Sequence, residues 1–208
     1  MGFEIDVMLR RGAWQRRFRF ASGEGITALC GPSGAGKSSV LEAIAGLLRP
    51  QSGRIAVQGN VLFDVDAKVN LPPERRACGF VFQDLRLFPH LSVKDNLRYG
   101  ARRESAGGTL MDLAQTTRFL GIEHLLHRAP RTLSGGEAQR VALGRALLSA
   151  TRFLLMDEPL SALDAPRRAE IMGLIERIRD ELRLPILLVS HQRHEVERLA
   201  STVVDLEP

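Results

Sequence analysis

The chain has 208 residues, of which 44% are hydrophobic and 25% are charged, a composition typical of a globular protein long enough to bury a substantial core. No apolar run approaches the roughly 18 residues of a membrane-spanning helix. Met1–Arg11 also lacks the apolar stretch and cleavage site of a secretory signal, so neither feature is expected. Cys30 and Cys78 are the two cysteines. Each lies in an apolar run, and we expect buried free thiols in a reducing cytosol.

The charge balance is basic, with a formal net charge of +5 and a sequence pI near 10.0. Such a balance suits polyanionic partners, which include nucleotide phosphates, an anionic membrane surface and nucleic acid. A solvated basic surface is the simpler explanation. Arginines cluster near the N-terminus at Arg10, Arg11, Arg16, Arg17 and Arg19. No nucleic-acid-binding signature accompanies them, so charge alone does not indicate the function.

The first part of the chain predicts mainly short strands. Strands over Phe3–Leu9 and Gln15–Phe20 are expected to form a hairpin. A short apolar strand, Ile26–Cys30, leads into a Gly-rich loop and a helix over about Lys37–Leu47, which ends before the Arg49-Pro50 step. Further short strands are expected over residues 53–82.

The second part predicts a helical lobe followed by alternating strands and helices. The lobe covers about residues 93–149, with a weak break at Gly107-Gly108, and is inserted into an α/β core formed by residues 1–92 and 150–208. The elements expected after it are a strand Phe153–Met156, a helix Pro166–Arg183, a strand Ile186–Val189, a helix Arg193–Ala200 and a strand Thr202–Leu206. Apolar strands alternating with helices indicate a parallel sheet covered on both faces.

The loop after the third strand has the pattern of a phosphate-binding loop. Its candidate ligand-binding residues are Gly31, Pro32, Ser33, Gly34, Ala35, Gly36, Lys37, Ser38 and Ser39. Glycines let successive backbone N–H groups point at a phosphate, and the following helix adds its positive dipole end. Lys37 supplies a point charge, and the Ser38 hydroxyl is a ligand for Mg²⁺. A plain Gly-rich turn is the alternative, but the position between a strand and a helix favours nucleotide binding.

Two acids, Asp157 and Glu158, end the apolar strand that begins at Phe153. Acids at the carboxyl end of a parallel strand face the ligand crevice of such sheets. Asp157 is a candidate ligand of Mg²⁺, and Glu158 is a candidate general base for an attacking water. A surface turn is the alternative for this acidic pair on its own. A phosphate loop in the same chain favours the catalytic interpretation.

The segment Ser134-Gly135-Gly136-Glu137 predicts a helix N-terminus that can bind an anion. Ser134 and Glu137 have the spacing of a capping box, and the two glycines leave the start of the helix sterically open. A well-capped helix with no ligand is the usual explanation of such a pattern. The complete stretch Leu133–Arg140 resembles the signature sequence of ABC ATPases, which favours a second phosphate site.

The chain resembles the nucleotide-binding subunits of ABC transporters over at least Ile26–Ala200. The matching motifs are the phosphate loop Gly31–Ser38, the Q-loop residue Gln83, the signature Ser134-Gly135-Gly136, the acidic pair Asp157-Glu158, the D-loop residue Asp164 and the switch histidine His191. The resemblance implies a P-loop NTPase of ABC type: an α/β fold with a mainly parallel core, an N-terminal antiparallel β subdomain and an inserted helical subdomain.

The resemblance also implies a mechanism. Two copies bind head to tail and sandwich two ATP molecules, each held by one copy's phosphate loop and the other copy's Ser134-Gly135-Gly136, and Asp164 is a further nucleotide-binding residue. Mg²⁺ would be held by Ser38, Gln83 and Asp157, and hydrolysis would depend on Glu158, Gln83 and His191. Gln83 would also link the site to the helical lobe, which touches the membrane partner.

Within the family, several segments resemble the ATPases of molybdate importers: Pro73–Arg76, Gly79–Asp84, Leu87–Val93 and Asn96–Gly100. Similar segments occur in ATPases for sulfate, iron and polyamine uptake, so these substrates stay open. The resemblance implies integral membrane permease partners, an indirect link to a periplasmic binding protein, and a peripheral location on the cytoplasmic face of the inner membrane. No nucleic-acid partner is expected.

Two features depart from the family pattern. Trp14 is the nearby aromatic candidate for stacking on adenine, and a packed core Trp is the alternative. The sequence given ends at Pro208, without the C-terminal regulatory domain usual in molybdate importer ATPases, so a truncated form and a minimal ATPase both stay open.

Two other classes compete with a transporter motor. A soluble ABC protein acting on nucleic acid or ribosomes would typically have paired ATPase domains or a long coiled-coil insertion, and the sequence has neither. A P-loop kinase or NTP switch would lack Ser134-Gly135-Gly136 and would need neither Gln83 nor His191.

Overall fold

A computed structural model describes residues 2–101, 110–150 and 152–206. The chain forms two compact units, Met1–Arg76 with Leu184–Pro208 and Ala77–Arg183. The sequence predicts a different division of the chain, with a helical lobe over residues 93–149, and that division stays a prediction. Its Gly107-Gly108 break lies outside the described residues.

Among its described residues, the first unit combines an antiparallel sheet with parallel strands, two α-helices and a single 3-10 turn at Pro73–Arg75. Its elements are β1 (Phe3–Arg11), β2 (Trp14–Ala21), β3 (Ile26–Cys30), α1 (Lys37–Ala45), β4 (Ser52–Val57), β5 (Asn60–Asp64), β6 (Val69–Asn70), β9 (Ile186–Val189), α6 (Arg193–Leu199) and β10 (Thr202–Asp205). The antiparallel sheet has the order β2-β1-β4-β5-β6. Alternate residues of β1 are buried, as a sheet with one covered face requires.

The parallel strands of this unit place the phosphate loop. β3 lies between β10 and β9, with Ala28 opposite both Val203 and Leu188. β9 is buried along its whole length, which fits a strand covered on both faces. The loop Gly31–Gly36 therefore starts at the carboxyl end of a central parallel strand, where ligands bind in such sheets.

The C-terminus of helix α1 is closed by Gly46 and by the side chain of Arg76. Gly46 has φ 83 and ends the helix in the left-handed conformation. The buried Arg76 donates from Nη1 to the carbonyl oxygens of Ala43 at 2.8 Å and Ile44 at 2.9 Å. A cation at a helix C-terminus interacts favourably with the helix dipole, and the left-handed Gly46 ends the helix at Ala45, two residues before the predicted Leu47.

The second unit contains two parallel strands and four helices among its described residues. Its elements are β7 (Cys78–Val81), α2 (Val93–Ala101), α3 (Leu113–Leu120), α4 (Gly135–Ser149), β8 (Phe153–Asp157) and α5 (Ala165–Leu182), with single 3-10 turns at Glu123–Leu125 and Pro130–Thr132. β7 and β8 pair in parallel from Cys78 with Phe153 to Val81 with Met156. β8 is buried throughout, so its acids emerge at the end of a core strand.

The two cysteines are free, as predicted, but the expectation that both are buried is wrong. Cys30 is the last residue of β3 and Cys78 the first of β7, and strand ends are partly open to solvent. Partial burial raises the pKa of the Cys30 thiol, and nearby Asp205 adds to that effect while Lys37 opposes it. Among the described residues, no helix is both long and apolar enough to cross a membrane.

Candidate functional site

Glycine is required at two points of the phosphate loop for steric reasons. Gly31 has φ 136, and a Cβ there would lie 2.5 Å from the carbonyl oxygen of Leu206. Gly36 has φ 91, and a Cβ there would lie 2.7 Å from Phe18 Cζ and 2.8 Å from Trp14 Cη2. Gly34, with φ 83, would meet nothing within 4 Å, so the outer side of the loop is open. A backbone of this shape suits close approach by a phosphate.

Lys37 is buried with its ammonium group inside the loop. Its Nζ donates to the carbonyl oxygens of Gly31 at 2.8 Å and Pro32 at 2.9 Å. These neutral acceptors solvate the buried cation without an anionic partner among them, so its charge stays available to a phosphate. No side chain of the described residues caps the first turn of α1 at Gly36. The loop therefore fits the phosphates of a nucleotide.

Trp14 and Phe18 lie on the inward side of β2, against this loop. Their ring centroids are 5.9 Å apart, and both rings come close to Gly36. Phe18 is buried, whereas Trp14 is half-buried. The partial exposure of Trp14 beside the loop leaves ring surface that a base could cover.

In the second unit, Gln83 and Glu158 are brought together. Gln83 Nε2 donates to Glu158 Oε2 at 3.3 Å, although the two residues belong to different parts of the sequence. Glu158 follows β8 with φ 43, a left-handed conformation that is rare for a residue with a side chain. The N–H and Oγ of Ser161 donate to the Glu158 carbonyl oxygen at 3.2 and 3.0 Å, which holds this turn.

The predicted capping box at the start of α4 is confirmed. The N–H of Glu137 donates to Ser134 Oγ at 3.3 Å, and the N–H of Ser134 donates to Glu137 Oε2 at 2.7 Å. The hydrogen bond from the Ser134 backbone is the main reason that the pKa of Glu137 lies below its usual range. Ser134 and Gly135 are exposed, so the start of this helix is accessible to a ligand.

The D-loop borders the signature glycines within the same unit. Asp164 caps α5 by accepting from the N–H of Arg167 at 3.1 Å. A Cβ at Gly135 would lie 3.7 Å from Leu163 Cδ2, and one at Gly136 would lie 3.5 Å from Arg167 Cδ. Sequence reasoning missed Leu163 and Arg167 as neighbours of the signature, because no local pattern links α4 to α5.

His191 is exposed on the loop after β9, and a buried pair beside it fixes the backbone of this loop. Ser190 Oγ donates to Glu195 Oε2 at 2.6 Å and accepts from the N–H of Gln192 at 3.0 Å. His191 Nε2 lies 3.1 Å from Gln192 Nε2. The signal in the sequence is a Ser and a Glu five positions apart, a spacing that by itself does not indicate a hydrogen bond.

The predicted site residues are thus distributed over both units. The first unit carries Gly31–Ser39 and His191, and the second carries Gln83, Ser134–Gly136, Asp157–Glu158 and Asp164. Their catalytic and binding roles stay predictions. In the described ranges, no group of three or more His, Cys, Asp or Glu side chains could hold a metal ion.

The chain belongs to the ABC transporter family, whose sequence model matches residues 16–161, more than half of the chain. Relatives with the name molybdenum import ATP-binding protein ModC match almost the whole chain. The protein from Brucella suis biovar 1 is 53% identical over 203 residues, covering 98% of this chain and 56% of its own length. The protein from Rhizobium meliloti is 50% identical over 207 residues, covering 100% of this chain and 58% of its own. The chain thus spans little more than half the length of these relatives.

Solved structures of the bacterial ABC transporter cassette MJ0796 share the fold. A dimeric form matches with a TM-score of 0.78 and 24% identity, covering 99% of this chain and 94% of that one. A post-hydrolysis dimer bound to ADP and Pi matches with a TM-score of 0.77. At this identity the likeness concerns the fold, and it confirms the predicted α/β cassette of ABC type.

Proposed function

We propose that this chain is the ATP-binding and ATP-hydrolysing part of an ABC importer and that the imported substrate is molybdate. The observation that carries the ATPase proposal is the loop Gly31–Gly36, with the buried, unneutralised charge of Lys37 at its centre. The proposal for molybdate is supported by 50–53% identity to proteins with the name molybdenum import ATP-binding protein.

The triphosphate of ATP would bind at the phosphate loop and the N-terminus of α1. Lys37 would turn from the carbonyl oxygens of Gly31 and Pro32 toward the β- and γ-phosphates, which are stronger acceptors for a cation than neutral carbonyls. The half-buried ring of Trp14 beside Gly36 supports it as the residue that stacks on adenine.

Hydrolysis would depend on Glu158 as the general base that takes a proton from the attacking water. The hydrogen bond from Gln83 to Glu158 Oε2 supports a role for Gln83 in orienting that carboxylate. Ser38, Gln83 and Asp157 would supply ligands to Mg²⁺, which neutralises phosphate charge when bound. His191 would contact the γ-phosphate, on a loop held by Ser190 and Glu195.

The functional unit would be a head-to-tail homodimer in which Ser134-Gly135-Gly136 of one copy contacts the ATP held by the other. The exposure of Ser134 and Gly135 supports this arrangement. Asp164 would lie at the same dimer contact, since its loop borders the signature glycines.

Integral membrane permease subunits would be the partners, with an indirect link to a periplasmic binding protein and a peripheral location at the cytoplasmic face of the inner membrane. The exposed Tyr99, whose ring centroid lies 4.6 Å from that of Phe88, supplies apolar surface in the helical segment. An exposed aromatic ring of this kind suits contact with a protein partner.

Two measurements test the proposal in separate parts. Phosphate release from Mg-ATP by the purified chain tests the ATPase, and no release above that of Lys37→Ala would contradict it. Molybdate uptake by cells that depend on this gene, with sulfate as competitor, tests the substrate. We expect molybdate uptake with the wild type and none with Glu158→Gln, whereas uptake of sulfate but not of molybdate by the wild type would contradict molybdate as the substrate.

Co-purification tests the partner. A tagged chain isolated from membranes is expected to retain integral membrane subunits. Recovery of RNA or ribosomes in place of those subunits would contradict an importer.

A further inference from the structure

Arg145 lies on α4, the helix that begins at the signature sequence, and holds two consecutive backbone carbonyl groups of the Gln83 segment. Its Nη2 donates to the Leu85 carbonyl oxygen and its Nη1 to that of Arg86, both at 2.7 Å. The guanidinium also lies over the Phe88 ring, 5.4 Å from its centroid. Burial lowers the pKa of Arg145, but a guanidinium keeps its charge at neutral pH.

The turn that Arg145 holds has an uncommon conformation. Leu85 has φ 58 and Arg86 has φ 46, so two successive residues with side chains are left-handed. Residues in this region persist only where their surroundings hold them. Hydrogen bonds inside the turn run from the Leu85 N–H to Phe82 and from the Arg86 N–H to Asp84. The planar fork of one guanidinium matches two adjacent carbonyl oxygens, a geometry that a lysine cannot reproduce.

The same turn carries the side chain that reaches the catalytic carboxylate. Gln83 precedes Leu85 by two residues, and its Nε2 donates to Glu158 Oε2 at 3.3 Å. All four groups belong to the second unit. A continuous set of contacts therefore runs from α4 through Arg145 and the Leu85–Arg86 carbonyls to Gln83 and Glu158.

We propose that Arg145 is a positioning residue that ties the signature helix to the Gln83 turn and thereby sets Gln83 beside Glu158. The expected effect on catalysis rests on the proposed ATPase function. The expected ordering of the Leu85–Arg86 turn by Arg145 is independent of that function.

Hydrogen exchange of the ligand-free protein tests the ordering directly. In Arg145→Gln, the amides of Leu85 and Arg86 are expected to exchange about ten-fold faster, because two charge-assisted hydrogen bonds are lost. Arg145→Lys keeps the charge, and its exchange rates at these two amides are expected to lie between those of the wild type and of Arg145→Gln. Unchanged exchange at both amides in Arg145→Gln would overturn the proposal.

Arg177→Gln is a matched control. Arg177 also donates to a backbone carbonyl oxygen, that of Phe119 at 3.2 Å, and lies over the Phe119 ring at 4.2 Å. It has no contact with the Gln83 turn among the interactions described, so exchange at Leu85 and Arg86 should stay at the wild-type rate. Faster exchange there in Arg177→Gln as well would show general loosening and overturn a specific role for Arg145.

Steady-state kinetics test the catalytic consequence. We expect kcat to fall on the order of ten-fold in Arg145→Gln, since Glu158 loses its orientation. ATP affinity measured without Mg²⁺ should stay within about two-fold, because none of the described contacts of Arg145 involves the phosphate loop Gly31–Lys37. A lower ATP affinity with an unchanged kcat would overturn the positioning role.

If circular dichroism shows that Arg145→Gln does not fold, Arg145→Lys is used for both measurements, and the same outcomes decide. An inactive wild type would instead defeat the proposed function, while the exchange result would still decide the ordering.

Discussion

The N-termini of α1 and α4 are both candidate phosphate sites, but they are built in opposite ways. α1 begins at Gly36, with φ 91 and no side-chain cap from the described residues. α4 begins at Ser134, in an extended conformation and with a complete capping box. The first turn of α1 keeps its donors for a ligand and has the cation of Lys37 beside it. The first turn of α4 uses donors on its own side chains and carries the carboxylate of Glu137.

This contrast indicates which of the two helix N-termini can bind a phosphate without help from a second copy of the chain. A helix N-terminus with an adjacent buried cation attracts an anion strongly. A capped N-terminus beside a carboxylate attracts it weakly, because the carboxylate already neutralises part of the helix dipole. ATP should therefore bind the phosphate loop first, and the signature should engage only a phosphate that another copy presents.

The largest effect on ATP binding should come from removing Lys37, the buried cation beside the N-terminus of α1. Lys37→Ala should weaken ATP binding by a factor on the order of 100 or more, because a charge-assisted contact to the phosphates is lost. Titration calorimetry measures the ATP affinity of this variant and of the wild type. Lys94→Ala, in the other unit, is the matched control and should bind ATP normally. Undiminished affinity in Lys37→Ala would refute the phosphate-loop assignment.

The next largest effect should appear when both sites are intact but hydrolysis stalls. Glu158→Gln should lower ATP hydrolysis by about 10²–10⁴-fold, since the general base is lost. The same variant should accumulate as an ATP-bound dimer in light scattering with Mg-ATP. Finding only monomers at saturating ATP would count against the sandwich.

A smaller effect separates capping from ligand binding at α4. Ser134→Ala and Glu137→Ala each break the capping box, and each should cost about 1 kcal/mol of stability. In the Glu158→Gln background, only Ser134→Ala should impair the ATP-dependent dimer. Equal impairment in both variants would mean that Ser134 acts as a cap and not as a ligand.

The smallest effect is a pH dependence of stability from Glu137. Its pKa is lowered in the folded state, mainly by the hydrogen bond from the Ser134 backbone. Its ionisation therefore stabilises the fold above the unfolded pKa of about 4.3. This contribution is lost as the pH falls through the lower folded pKa. The Tm difference between wild type and Glu137→Gln should shrink over that range, and a difference constant down to pH about 3 would contradict it.

Much of the site could be predicted because its parts are local. Lys37 reaches the carbonyl oxygens of Gly31 and Pro32 in its own loop, and Ser134 pairs with Glu137 in the next turn. Such bonds depend on the dihedral angles of a few neighbouring residues, which residue types and spacing constrain. The strands and helices predicted with explicit bounds, such as Phe153–Met156 and Pro166–Arg183, agree with the structure to within a few residues, because their apolar patterns are local. The short strands within residues 53–82 and the helices of the lobe had no individual bounds.

Other contacts could not be predicted because they join distant parts of the chain. Gln83 meets Glu158 across 75 positions, and Arg145 meets Leu85 across 60. These contacts depend on the parallel register of β7 and β8 and on how α4 packs against β7. No spacing in the sequence encodes that register. The sequence therefore identified Gln83 and Glu158 as candidate site residues but did not show that they contact each other.

The sequence by itself therefore determined the α/β class, the phosphate loop, the acidic pair and the capped signature helix. Tertiary structure alone decided that Trp14 lies against Gly36, that Arg76 caps α1, and that Arg145 holds the Gln83 turn. The physical reason is the range of the interactions. Short-range hydrogen bonds follow from neighbouring residue types, whereas long-range ones require strand register and packed helices to bring the groups together.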